Sequence, residues 1–124
     1  MSQRIPKMIA MGKIAADGSI IKATPGIKVR LGINPGSIRE GQDIGYSVKL
    51  PDRLVCDKNY IIQLTAESYF GEEDFFTMTS ISSRYQTKKG FEVIIWGDVP
   101  YDTLPGLVSV PVKSDWHFVL YDML

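Results

Sequence analysis

The sequence predicts an all-β protein: a single antiparallel β-sandwich, jelly-roll-like, of about eight or nine strands. Three observations predict it. Apolar residues recur with period two in short segments. β-Branched and aromatic residues fill those segments, and Gly, Pro and Asp turns punctuate them. No stretch keeps a helical period for long, although Glu67 to Asp74 admits one turn of helix. No internal repeat or linker divides the 124 residues, so they form one domain, long enough for one hydrophobic core.

The strands fall at 8–15, 19–24, 27–31, 44–50, 59–67, 74–83, 90–96, 107–112 and 115–121. Asp17-Gly18 separates the first two and favours a hairpin, since both residues accept positive φ. Pro25-Gly26 ends the second. Ile27, Val29 and Leu31 alternate with Lys28 and Arg30 in the third. Gly32 to Asp43 is a polar stretch with two turn signals, Pro35-Gly36 and Glu40-Gly41. Tyr46, Val48 and Leu50 then alternate with Ser47 and Lys49, and Pro51-Asp52 stops that strand. Lys89-Gly90 opens the strand through Trp96; Pro100 and Pro105-Gly106 break up the segment after Trp96. In the closing strand Trp116, Phe118 and Leu120 alternate with His117, Val119 and Tyr121. Such alternation sends one set to a core and the other away from it.

Lys plus Arg and Asp plus Glu number 14 each, so the net charge is zero. Nucleic-acid binding rests on a basic face; the only basic run, Lys88-Lys89, reads as a solvated turn. No nucleic-acid partner is expected. The single cysteine, Cys56, excludes an intrachain disulfide framework and reads as a half-buried small hydrophobe. No secretion signal and no membrane-length apolar run is seen, so synthesis and folding in a cytoplasm are expected.

Catalytic patterns are missing. His117, the lone histidine, lies inside an alternating strand; Ser114 and Asp115 near it do not make a triad by spacing alone. There is no phosphate loop, no zinc spacing and no nucleophile elbow. Glu72-Glu73-Asp74, and Asp98 with Asp102, do not match a calcium loop and read as solvated loops. No enzyme activity, cofactor or metal is expected.

The order of motifs carries more. Gly12-Lys13-Ile14-Ala15-Ala16-Asp17-Gly18-Ser19-Ile20 is followed by Ile27-Lys28-Val29-Arg30, Gly45-Tyr46-Ser47-Val48-Lys49-Leu50 and Tyr60-Ile61-Ile62-Gln63-Leu64-Thr65-Ala66. Gly90-Phe91-Glu92-Val93-Ile94-Ile95-Trp96 and Asp115-Trp116-His117-Phe118-Val119-Leu120-Tyr121 close the series. This order resembles the C-terminal β-sandwich domain of bacteriophage tail fibres and related virion fibres, over nearly the whole chain. The polar stretch from Gly32 to Asp43 is longer than that pattern's link.

The resemblance implies a homotrimeric fibre tip or head fibre in a virion, in contact with other virion proteins and with a host surface receptor, a glycan. No fibrous shaft precedes the domain, so Met1 to Met8 or a surface patch is expected to dock it. Closing a trimer would satisfy exposed sheet edges by symmetry. Aromatics at loops and strand ends are the candidate sugar contacts: Tyr101 first, with Asp98 and Asp102 beside it, then Trp96, Tyr69, Phe70 and Tyr85. Trp96 and Phe70 read more simply as core or trimer contacts. Two alternatives share the fold: a purely structural virion or capsid-decoration protein, and a small polysaccharide hydrolase using an acidic pair from Asp98, Asp102, Glu72 or Glu73.

Overall fold

The computed structural model describes residues 5–33, 44–67, 69–70, 76–77, 79–100 and 107–123, and of 33, 44, 69–70, 76–77, 79, 98–100 and 107–110 only the backbone. The strands in chain order are β1 (Pro6–Ile14), β2 (Ile20–Ala23), β3 (Lys28–Ile33), β4 (Ile44–Lys49), β5 (Ile61–Ala66), β6 (Tyr69–Phe70), β7 (Phe76–Thr77), β8 (Thr79–Thr87), β9 (Gly90–Pro100), β10 (Leu107–Pro111) and β11 (Trp116–Met123). No helix occurs among the described residues.

Two antiparallel sheets result. The first has the order β2-β1-β11-β5. The second runs β8-β9-β4-β3, and β10 follows β4 along the same edge of β9. Trp96 and Gly97 show this, because each pairs with β8 on one side and with β10 on the other. Among the described residues β6 and β7 pair only with each other. The all-β sandwich is therefore what the chain forms.

Its core lies between the two sheets. Ala10, Ile14, Trp116, Phe118 and Leu120 from one face Tyr46, Val48, Phe91, Val93 and Ile95 from the other. Each of these sets alternates with outward residues, so the period-two pattern is the core pattern. Two aromatic pairs bridge the sheets: Tyr46 with Trp116 at 5.3 Å and Phe91 with Phe118, edge on, at 5.7 Å. Tilted and edge-to-face pairs of this kind add about 0.5–1.5 kcal/mol each beyond the area they bury.

Polar atoms of the core tyrosines tie loops to the sandwich. The Tyr46 hydroxyl donates to the Ala16 carbonyl at 2.7 Å, which holds the β1–β2 turn over the second sheet. The Tyr60 hydroxyl donates to the carbonyls of Thr87 and Gly90 at 2.7 and 3.1 Å. That clamps the loop before β5 onto the β8–β9 turn. Gly90 is required there: a Cβ on it would sit 1.9 Å from the Val48 carbonyl oxygen.

The structure alters several expectations. The Asp17-Gly18 hairpin forms, but of the two only Gly18 has positive φ, at 90°. Gly18 N–H donates to the Ala15 carbonyl, and the register slips between Lys13 and Ile14. This is a type I turn with a glycine bulge, so Asp17 keeps an ordinary backbone and its carboxylate instead accepts from Ser19 N–H and Oγ–H at 2.9 and 2.6 Å. Of the strand expected at 74–83, Phe76–Thr77 (β7) and Thr79 onward (β8) are extended while 74, 75 and 78 lie outside the described residues, and β8 continues to Thr87 through a bulge. Tyr69–Phe70 is extended and paired, where the sequence admits a helical turn. Cys56 is exposed, not half-buried, because it sits in the irregular loop after β4, outside the alternation. Of the docking segment, Pro6 to Met8 are built into β1 opposite Met123 to Tyr121, and residues 1–4 lie outside the described residues. Gly32 and Ile33 extend β3 against Gly45 and Ile44; residues 34–43 lie outside the described residues.

Candidate functional site

Strands β8 and β9 form the part of the second sheet that carries the exposed aromatics. Along β9, Phe91, Val93 and Ile95 enter the core, so Glu92, Ile94 and Trp96 lie on the outer face, where Ile94 is itself covered. Trp96 is 37% exposed, which removes it from the core, one of the two places the simpler reading gave it. Ser80 stands opposite Trp96, Ser82 opposite Ile94 and Arg84 opposite Glu92. The outer face of this strand pair thus carries an indole, two exposed serines and one ion pair.

A bulge shapes its lower end. Arg84 pairs with Glu92 and Thr87 with Gly90, so Tyr85 and Gln86 stand together against Phe91. Tyr85 takes φ of 56°, a left-handed backbone that costs a non-glycine residue about 1–3 kcal/mol. The bulge turns its ring outward, 70% exposed, and the Arg84 guanidinium lies 5.1 Å from the ring centroid. Gln86 turns the other way and donates to the carbonyls of Lys58 and Tyr60, which braces the bulge from behind.

Arg84 is the chemical centre of this face. One terminal nitrogen is 3.3 Å from a Glu92 carboxylate oxygen. Its Nε is buried and has no hydrogen-bond partner. A guanidinium offers five donors in a planar fork, and with Nε buried it is the terminal nitrogens of this partly exposed side chain that a ligand can meet. An aromatic plate, a partly exposed guanidinium and serine hydroxyls on a rigid sheet suit a hydroxyl-rich ligand lying flat. Nothing among them is arranged as a nucleophile with a base.

The expected site residues divide accordingly. Trp96 and Tyr85 are brought to neighbouring strands of one sheet. Asp98 lies in β9 opposite Ser109, and Tyr69 in β6 opposite Thr77; their side chains lie outside what is described. Tyr101, Asp102, Glu72, Glu73 and Asp74 lie outside the described residues, and so does the side chain of Phe70. Sequence reasoning missed Arg84. Its only signal was a charged residue one place before an exposed aromatic in a β pattern, which is common.

His117 is elsewhere, on the outer face of the first sheet. Its Nδ1 is 3.8 Å from Glu67, whose carboxylate also meets Lys13 Nζ at 3.1 Å. A cavity of about 270 Å³ opens beside it, lined by Met11, Gly12, Lys13, Lys22, His117, Phe118 and Val119. That is at the small end for a small-molecule site. Further along the same face, β1, β11 and β5 align two mainly apolar rows: Met8 with Tyr121 and Ile61, and Met11 with Val119, the second ending in the polar Gln63. Met8, Met11 and Ile61 are exposed. Strict alternation would send Met8 and Met11 to opposite faces; the register slip between Met8 and Ala10 brings them to one side, which the sequence did not show. Among the described residues no group of three His, Cys, Asp or Glu side chains could hold a metal ion.

No known family model matches the chain, and neither the curated proteins nor the solved structures contain a significant match to it.

Proposed function

We propose that this chain is an attachment domain of a virion fibre, and that the outer face around Trp96, Tyr85 and Arg84 holds a glycan of the host surface. The observation that carries the reading is the Tyr85 bulge: a strained backbone turns an aromatic ring into solvent beside a partly exposed guanidinium. Strain of this kind persists where the surroundings hold it, as Gln86 does here, and it clusters at functional sites. The ring offers a plate for the apolar face of a sugar, and Arg84, Ser80 and Ser82 offer partners for its hydroxyls. The virion context is supported by the order of the hairpin, Gly45-Tyr46, Gly90-Phe91 and closing strands in the sequence. A homotrimer belongs to the same proposal; catalysis and a cofactor do not.

The test is binding of the labelled chain to host cells and to a glycan array, with its mass in solution measured by light scattering. Trp96→Ala and Tyr85→Ala are expected to remove binding while the sheet spectrum stays unchanged. A strict monomer that ignores cells and every glycan would overturn the proposal.

One observation favours a second reading, a structural virion or capsid-decoration protein. The apolar rows on the outer face of the first sheet suit contact with another virion protein. Docking on particles that Ile61→Glu abolishes, with no binding to cells, would select it.

A further inference from the structure

The other half of the same face has a charge that the composition hides. Lys28 stands directly opposite Lys49 on β3 and β4, and Arg30 opposite Ser47. Ser47 in turn faces Glu92, and Glu92 faces Arg84. Val29, Leu31, Tyr46 and Val48 take the core side, so Lys28, Arg30 and Lys49 all lie on the outer face, and all are exposed. The paired rows from β3 to β8 therefore hold four cations and one carboxylate, on a protein of zero net charge. The Lys88-Lys89 turn borders them, since Leu50 N–H donates to the Lys89 carbonyl at 2.8 Å.

Two lysines directly opposite each other in an antiparallel pair repel. An anion lying across the pair converts that repulsion into attraction. We propose that the β3–β4 half of this face binds the acidic groups of an anionic polysaccharide, whose sugar rings continue onto Trp96 and Tyr85. The proposal rests on the glycan-attachment reading and names the class of glycan.

A nucleic acid is the less suitable polyanion. No described element projects from this flat sheet to enter a groove. Single strands need a succession of aromatic platforms, and the described outward positions of β3 and β4 carry none.

The experiment measures binding of the full chain to immobilised polygalacturonate, dextran sulfate, neutral dextran and a thymidine oligonucleotide, at low and high salt. The acidic polysaccharides are expected to bind, and to release as salt rises. Lys28→Gln and Lys49→Gln are each expected to weaken binding by about two- to fivefold. The double variant is expected to unfold at the same or a higher temperature, since a repulsion has gone, so lost binding does not reflect lost folding. Glu92→Gln, which removes the one carboxylate of these rows, is expected to tighten binding.

Binding of acidic polysaccharides that is indifferent to both lysines and to salt overturns the inference. So does tighter binding of the oligonucleotide. If neutral glycans or host cells bind through Trp96 and Tyr85 while the lysine variants behave as wild type, attachment stands and only the inference fails. If no glycan and no cell binds, both fall.

Discussion

Replacing Tyr85 by glycine and by alanine tests whether the candidate site stores backbone strain. Ordinarily glycine inside a strand is less stable than alanine by about 0.5–1 kcal/mol, because it gives up more conformational freedom on folding. At φ of 56° the sign reverses. Alanine keeps the left-handed penalty of about 1–2 kcal/mol, and glycine does not. Both variants lose the stacking of Arg84 on the ring, about 0.5–1 kcal/mol at an exposed site. The ring is 70% exposed, so little apolar burial is lost. Tyr85→Ala should then be less stable than wild type by up to about 1 kcal/mol. Tyr85→Gly should exceed Tyr85→Ala by about 1 kcal/mol, or about 4 °C in Tm for a chain of this size. Urea unfolding measures it, with an unchanged slope showing that only stability moved. Both variants should lose glycan binding equally. If alanine proves as stable as glycine, the bulge is not strained and the argument from strain to function fails.

Gly90→Ala should cost about 3 kcal/mol or more, because its Cβ would meet a backbone carbonyl that is itself held between strands. Thermal unfolding checks this, and a loss under about 1 kcal/mol would mean that the hairpin shifts freely. Tyr60→Phe should cost about 1–3 kcal/mol, since the Thr87 and Gly90 carbonyls each lose a donor; unchanged urea midpoints would contradict it. Burial pushes the Tyr60 phenol from 10.0 up to about 12. Burial also raises that of Tyr46, partly offset by a hydrogen bond to Ser114. Raised groups stabilise the fold below the unfolded value of 10.0 and lose that contribution as pH climbs toward about 12. In the difference between wild type and Tyr60→Phe, phenolate absorbance should therefore rise together with the loss of sheet circular dichroism, and ionisation of Tyr60 in the still-folded protein would contradict this. At the acid end the hydrogen bonds from Ser19 hold the Asp17 carboxyl below its usual 3.8. Its contribution is present above that value and disappears as pH falls through the lowered one; Asp17→Asn should flatten the acid limb of the stability profile, measured by urea unfolding against pH.

Much of the fold was legible because a strand's side chains alternate strictly, and the residues that β3, β4, β9 and β11 send between the sheets follow that alternation. The bulge at Tyr85 was not legible. Nothing in the run Ser83-Arg84-Tyr85-Gln86 marks a left-handed residue, and the brace that holds it comes from Lys58 and Tyr60, far away in sequence. The exposure of Trp96 was equally hidden, because alternation says only that it shares a side with Glu92 and Ile94, not which side is covered.

An all-β chain, the alternating sets of β3, β4 and β11 and the hairpin at Asp17-Gly18 can all be read from the residues in order, since these depend on neighbours within a few positions. Folding in three dimensions was needed to show that β11 lies between β1 and β5, that Lys28 faces Lys49, and that Arg84 lies over Tyr85 beside Glu92. Strand order and register are set by which apolar faces bury each other best across the whole chain. A local pattern carries the facing of a residue, while its neighbours on that face come from strands tens of residues away.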